Sequence, residues 1–337
     1  MMVFNFWHIK RTNGLYYYGL DYLNALSHSG VSVKLLVRNG FYVNPALIPE
    51  SVTVVYCGFW SFIRHIFTAA CCGSYIYTPT PHPFPFIKRQ LVVLHDLYPF
   101  SGGKGRLKQQ LFLLSARISR CHLAYINHSD VYRFYIDAGF PTDKLLYAPN
   151  SYPLVSSSSR SLSPVVAHKQ RKLRVGLVGT DSAKKNYAAL FASALRVTKD
   201  SIQIPQFVIY GHQTDYIQSV QSEFSGIDQT LISSDDIDIV DFFSQIDVLV
   251  SVAEGEGFGR PIATALGLGV HCLLLDVPVF REFFAGGATF YPTIDELTKT
   301  LLSLSIGDVQ TPLHFVPPSS AKCAFDDVVR YIIERNF

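Results

Sequence analysis

The chain has 337 residues, enough for about two domains of roughly 150 residues, each large enough to bury its own core, which excludes a small fold stapled by disulfides or metal. Charged residues make up 16% of it, against 48% apolar and 14% aromatic, which excludes a disordered or collagen-like chain. The 29 basic and 26 acidic residues leave a surplus of +3, too small for a dedicated nucleic-acid binder, so a small-molecule ligand is expected and nucleic acid is not.

In chain order, Met1 to Trp7 lacks a basic flank followed by a sustained apolar stretch, so it reads as a first β-strand and not as a signal peptide. Further β-rich runs alternate with longer helical patterns. In the first half the runs are Val3–Trp7, Val31–Val37, Val52–Tyr56, Ser74–Thr78, Gln90–Leu94, Leu123–Ile126 and Leu145–Ala148. In the second half they are Leu173–Val178, Gln206–Tyr210, Thr230–Ile232, Asp247–Val252, Cys272–Leu275 and Ala288–Tyr291. This alternation predicts an α/β fold with two doubly wound parallel sheets, Rossmann-like in both halves. The longest apolar region, Phe59 to Tyr77, is interrupted by Arg64 and His65 and falls short of the roughly 20 residues of a spanning helix, so none is predicted.

Between the halves, Ser151–Gln170 carries the run Ser156 to Ser159 and two prolines with no apolar period, which reads as a linker. At the end, Val328, Val329, Ile332 and Ile333 recur at helical spacing. The expected organisation is a first domain over 1–151, a linker over 152–170, a second domain over 171–320 and a terminal helix over 321–337. The six cysteines show no Cys-x-x-Cys spacing and most lie in apolar surroundings; they are read as reduced core residues of a cytoplasmic protein.

Two such domains imply a cleft between them, with ligands beyond the carboxyl ends of the strands, so function is sought in the loops that follow the strands. Gly14 follows the first strand and opens a helical pattern; a glycine at such a turn admits a ligand to the backbone and offers amides to an anion, although any strand-to-helix turn can need one. Val92–Leu94 runs into His95-Asp96, a pair able to bind sugar hydroxyls or move protons, and an aspartate that caps the next element fits the same spacing. Val178 leads into Gly179-Thr180-Asp181-Ser182-Ala183-Lys184-Lys185-Asn186, where lysine charge and helix amides meet as a diphosphate requires; a solvated lysine pair is the alternative, and Gly-Lys-Ser/Thr is missing.

The most specific loop is Ala253-Glu254-Gly255-Glu256-Gly257-Phe258-Gly259-Arg260-Pro261. Three glycines spaced by two and a proline at a helix start bring backbone close to a ligand. Glu256 at its mouth suits sugar hydroxyls better than phosphate, and as a residue outside the core it is expected to contribute little to stability. Phosphate on a helix N-terminus with hydroxyls on a carboxylate describes a nucleotide sugar.

This loop, with Leu274–Glu282, Gly286–Tyr291, Ala148–Ser151 and the loops above, resembles the family 4 retaining glycosyltransferases of GT-B architecture over nearly the whole chain. Within that family it looks most like the bacterial transferases that assemble O-antigen, capsule or exopolysaccharide, mannosyl- and rhamnosyltransferases among them. The resemblance implies a nucleoside-diphosphate sugar as donor, a glycan or glycolipid hydroxyl as acceptor, and neither cofactor nor metal. It also implies that Glu256 contacts donor-sugar hydroxyls, that the amides of Gly257, Phe258 and Gly259 hold sugar and diphosphate, and that Lys185 neutralises the diphosphate. Gly14 and Gly179 would admit the donor, His95 would reach the sugar, and the final helix would pack on the first domain.

Two positions depart from the family's pattern. Thr264 stands where a second glutamate usually contacts the ribose, and Thr180 where an arginine often follows the glycine, so nucleotide identity is the more open question; Arg260 could supply the missing charge or lie on the surface. The same departures support an alternative, a GT-B-like protein without turnover that binds another transferase. Ser234–Asp238 precedes a helix start, where aspartates commonly cap, so no metal site is expected there. A nicotinamide dehydrogenase lacks its dinucleotide fingerprint in both first turns. Lys104–Arg120 is basic and apolar at helical spacing, which suits either an interfacial helix in peripheral contact with a membrane or a core helix with a basic solvent side.

Overall fold

The computed structural model describes residues 1–152, 171–197, 204–309 and 315–336. The chain divides into two units, Met1–Ser151 with Pro318–Phe337, and Tyr152–Pro317. Apart from Tyr152, the expected linker lies outside the described residues.

The first unit is built on seven parallel strands, β1 (Met2–Asn5), β2 (Val33–Arg38), β3 (Val52–Cys57), β4 (Ile76–Thr78), β5 (Gln90–Leu94), β6 (His122–Tyr125) and β7 (Leu145–Tyr147). Their order is β3-β2-β1-β4-β5-β6-β7. β1, β4, β5 and β6 are buried along their full length, which is why their sequences run apolar without alternation. Helix α1 (Gly14–His28) follows β1, α2 (Phe59–Cys71) follows β3, and α3 (Gly105–Ser119) follows β5; the short α4 (Arg133–Asp137) precedes β7.

Residues in register on neighbouring parallel strands point to the same face. Val3, Ile76 and Gln90 are in register across β1, β4 and β5, and Val92 pairs with Leu123 of β6. On that face Val3 and Ile76 pack with Phe62, Ile66 and Ala69 of α2, and Val92 and Leu123 with Phe112, Leu113 and Ala116 of α3. Thus α2 and α3 cover one face of the sheet. Phe84 and Ile87, between β4 and β5, join the same layer. A terminal helix, α11 (Ser319–Asn336), packs on α1 in this unit, with the rings of Phe325 and Tyr22 4.3 Å apart.

The second unit has six parallel strands, β8 (Arg174–Val178), β9 (Gln206–Tyr210), β10 (Gln229–Ile232), β11 (Val248–Ser251), β12 (His271–Leu275) and β13 (Thr289–Tyr291), in the order β10-β9-β8-β11-β12-β13. Helices α5 (Tyr187–Val197), α6 (Asp215–Glu223), α7 (Ile239–Phe243), α8 (Arg260–Gly267) and α9 (Pro278–Phe284) connect them, and α10 (Ile294–Ser303) follows β13. All thirteen predicted runs are strands, with ends displaced by at most two residues, and both sheets are doubly wound. The cysteines correct the expectation: Cys57, Cys121 and Cys272 are core residues, but Cys71, Cys72 and Cys323 are exposed, and all six are free thiols. Cys71 and Cys72 end α2, where the apolar surroundings in sequence are the other faces of the same helix. No helix among the described residues is long and apolar enough to cross a membrane.

Candidate active site

In the second sheet the strand order reverses between β8 and β11, so the loops that follow these two strands become neighbours. The Glu254 amide donates to the Lys184 carbonyl at 3.1 Å and ties one loop to the other.

After β8, Gly179 turns the chain at φ +98°; a Cβ there would lie 2.7 Å from Lys185 Cε, so glycine is what lets the lysine side chain fold back across the turn. A 3-10 turn over Ala183–Lys185 begins at Ser182, whose hydroxyl accepts the Lys184 amide. Tyr187 then closes the loop, its hydroxyl donating to the Gly179 carbonyl at 2.8 Å and its amide to the Tyr216 hydroxyl at 3.1 Å.

After β11, Gly255 and Gly259 adopt left-handed backbone at φ +75° and +95°. Between them the buried Phe258 anchors the loop, its ring 4.7 Å from Phe283 and 5.6 Å from Phe284. Gly259 precedes α8, whose first residues are Arg260 and Pro261, so the backbone from Gly257 to Gly259 leads directly into a helix N-terminus.

The two loops join through charge. Lys185 Nζ lies 2.8 Å from Glu256 Oε1 and Lys184 Nζ lies 3.7 Å from Oε2; the three side chains are 16%, 19% and 14% exposed, in the order Lys185, Lys184, Glu256. Burial alone would raise the Glu256 pKa, but Lys185 and Lys184 outweigh it and hold the carboxyl at about 2. Glu256 is therefore ionised at any physiological pH. Lys185, Tyr187, Ser251, Glu256, Gly259 and Ile262 help line a cavity of about 30 Å³, room for a water or two.

This corrects the expectation that Glu256 is an open-mouthed residue of little consequence for stability. A carboxyl whose pKa falls on folding stabilises the fold above its unfolded pKa and loses that contribution in acid. Here the contribution is on the order of 3 kcal/mol, fully present above about pH 4.5 and lost as the pH falls toward about 2. The melting-temperature gap between wild type and Glu256→Gln is accordingly expected to narrow by several degrees between about pH 6 and about pH 3. A gap that stays constant contradicts the pairing.

The other expected residues fall as follows. Thr264 is buried on α8 and its hydroxyl donates to the Arg260 carbonyl at 3.1 Å, so it serves its own helix. Thr180 is buried against Gly211, where a Cβ would lie 2.6 Å from its hydroxyl oxygen, and its carbonyl accepts from Thr214. In the first unit Gly14 begins α1, but the amides of Leu15 and Tyr16 donate to the Asn13 side chain, so part of that helix N-terminus is already capped. His95 Nε2 lies 3.1 Å from the Pro79 carbonyl and its ring stands edge-on to Tyr18, with centroids 4.4 Å apart. Asp96 accepts the Tyr98 amide at 3.1 Å, the capping alternative read from the sequence. Asp238 likewise caps α7 through the amides of Val240 and Asp241. Lys184 is the site residue that sequence reasoning did not single out; its signal was only the doubled lysine. Tyr187 left no signal at all.

No protein-family model matches the chain. It is 23% identical over 291 residues to the O-antigen chain mannosyltransferase RfbU of Salmonella typhimurium, covering 82% of this chain and 76% of that one. Among solved structures it superposes on WaaG, a glycosyltransferase involved in lipopolysaccharide biosynthesis, with a TM-score of 0.66 at 12% identity over 97% of this chain and 94% of that one. It also superposes on HepE of Anabaena, solved with UDP and glucose, with a TM-score of 0.64 at 15% identity over 99% and 96% of the two chains. The fold is GT-B. The resemblance read from the sequence is borne out: this GT-B chain is similar to glycosyltransferases of bacterial lipopolysaccharide and polysaccharide synthesis.

Proposed function

We propose that this GT-B protein moves a sugar from a nucleoside-diphosphate sugar to a hydroxyl of a lipid-linked glycan acceptor during bacterial surface-polysaccharide synthesis, with retention at the anomeric carbon. The observation that carries the reading is the Lys185–Glu256 pair, set beside a glycine turn and a helix N-terminus at the reversal point of the second sheet. Support for the chemistry comes from the relatives, one an O-antigen mannosyltransferase and one solved with UDP and glucose.

In this reading the diphosphate draws Lys185 and Lys184 toward itself, and the sugar hydroxyls take their place on Glu256. The transition state resembles an oxocarbenium ion leaving a diphosphate, so the protein's work is to stabilise departing negative charge and to hold the acceptor on the same face of the sugar. Lysine charge and the amides of Gly257 to Gly259 supply that stabilisation, without a protein nucleophile and without a metal. Arg260 adds charge at the diphosphate. By the family resemblance, Gly14 and His95 are also donor-recognition residues. The protein works in the cytoplasm, at the inner face of the membrane that holds its acceptor.

A melting-temperature panel of UDP, GDP, dTDP, CDP and ADP tests the donor class, since a ligand bound only to the native state raises the midpoint with its affinity. One diphosphate is expected to stand out, and a flat panel contradicts the reading. The ribose end carries its own expectation. With Thr264 short, uncharged and bonded within α8, the wild type should distinguish ribo- from 2′-deoxyribonucleoside diphosphates by less than about tenfold, and Thr264→Glu should increase the preference for ribose. A much larger preference in the wild type places the ribose contact elsewhere.

A further inference from the structure

The first sheet has a reversal point of its own. Its strand order turns between β1 and β4, so the segments that leave the carboxyl ends of these two strands lie side by side. Asn5, at the end of β1, donates through its side chain to the Thr78 hydroxyl at the end of β4 at 3.3 Å and accepts the Trp7 amide at 3.1 Å. Trp7 is fixed in turn: its indole donates to the Cys57 carbonyl at 3.1 Å and stacks on Phe62 of α2 with centroids 4.6 Å apart.

This frame holds His8. Its ring stands edge-on to Trp7 and to Phe62, and against its face lies the ring of His82 from the segment after β4, parallel to within 1° and 3.9 Å away. His82 Nδ1 lies 3.1 Å from the hydroxyl of the buried Thr80. His8 is half-buried and His82 is exposed, so a ligand can reach the pair. Among the described residues, the charged side chains that act on the two rings are Lys10, Arg38 and Lys108, all of them cations. Desolvation by the surrounding protein, followed by His82 and the charges of Lys10 and Arg38, holds the His8 pKa at about 3. Desolvation together with Lys10 and Lys108 holds that of His82 at about 4. Both imidazoles are therefore neutral at physiological pH, and the sugar-transfer reading uses neither.

Two histidines stacked among three cations and kept uncharged leave positive potential unanswered at the reversal point. An anion against the rings offsets the cations and favours the protonated form, so the pair gains a proton as the ligand binds. One proton is the limit, because two positive rings 3.9 Å apart would repel each other. We propose that His8 and His82 form a subsite for a negatively charged group of the acceptor, a phosphate or a sugar carboxylate, with Lys10 supplying charge and Thr80 orienting His82. The donor's diphosphate is the poorer fit, since Lys185, Lys184 and the N-terminus of α8 in the second unit already answer its charge. That the ligand is the acceptor rests on the sugar-transfer reading; that it is an anion does not.

Imidazole nitrogen and proton resonances of the full chain, recorded at about pH 6 and assigned with His8→Asn and His82→Asn, provide the test. Four probes are titrated: inorganic phosphate, the methyl glycoside of glucuronic acid, the methyl glycoside of glucose, and the nucleoside diphosphate that the wild type binds best. Phosphate or the glucuronide is expected to move both rings toward the protonated form, and whichever does so names the group, while the neutral glucoside moves neither. Affinity for that anion should drop about tenfold or more in the double variant His8→Asn with His82→Asn. Silence of both rings toward phosphate and glucuronide, an equal response to the glucoside, or a response to the nucleoside diphosphate alone would overturn the proposal. Silent histidines with a nucleoside diphosphate still bound leave sugar transfer standing; responsive histidines with no nucleoside diphosphate bound leave the anion site standing alone.

Discussion

Replacing Glu256 with alanine is expected to lower turnover by about a hundredfold or more while leaving nucleoside-diphosphate affinity undiminished or raising it several-fold. The first half follows from the loss of the carboxylate that accepts the donor's hydroxyls as the bond to the diphosphate breaks. The second half follows from the ion pair: Glu256 holds Lys185 at 2.8 Å, and a diphosphate must compete with it for that lysine. Removing the carboxylate removes the competitor. Paired measurements of kcat on the preferred donor and of Kd for its diphosphate check both halves. An unchanged kcat takes Glu256 out of the reaction. A loss of diphosphate affinity equal to the loss of turnover shows instead that the loop has collapsed and that Glu256 was holding the site together.

Lys185→Ala has the opposite signature. The charge-assisted contact with the diphosphate is lost, so nucleoside-diphosphate binding should weaken by roughly 1–3 kcal/mol while binding of the parent nucleoside changes little. Calorimetric titration of the two ligands against wild type and variant separates the roles, and equal losses for both ligands mean that the lysine is structural. Lys184, 3.7 Å from the other carboxylate oxygen, limits the damage to Glu256 itself: with one cation remaining, the carboxylate is not stranded without a partner. Lys184→Ala is therefore expected to cost less than Lys185→Ala, and the double variant more than the sum of the two, because it leaves a largely buried carboxylate uncompensated.

Much of the architecture is legible in the sequence because parallel strands are covered on both faces and their residues need not alternate. Val92-Val93-Leu94 is apolar throughout because each residue is buried. The glycine turns were legible for a similar reason: Gly179 and Gly259 occupy left-handed backbone that other residues resist, so the amino acid itself marks the geometry. What stayed hidden is pairing. Nothing in the spacing of Lys185 and Glu256, 71 residues apart, says that they touch; that contact comes from strand order, which places β8 beside β11. Asn13 was hidden differently, since a cap and a ligand compete for the same amides and only the side-chain rotamer decides. Thr264 was read as a missing ribose contact from the residue type, and its hydrogen bond to Arg260 could not be foreseen, because a threonine inside a helix can turn its hydroxyl inward or outward.

The outer apolar stripe of α3 shows the same limit from another side. Leu107 and Phe112 look alike in a hydropathy profile, and the sequence left open whether the helix was interfacial or simply a core helix with a basic rim. Burial separates them: one is in water, the other against the sheet.

Release of nucleoside diphosphate from a panel of nucleotide sugars, with no acceptor present, tests the central claim most directly. A glycosyltransferase built around Lys185 and Glu256 is predicted to hydrolyse one donor slowly, faster than the others, with the rate reduced about a hundredfold by Glu256→Ala. A folded protein that binds a nucleoside diphosphate yet releases none from any donor, or one whose slow release is indifferent to Glu256, would contradict it and leave a GT-B-shaped binding protein in its place.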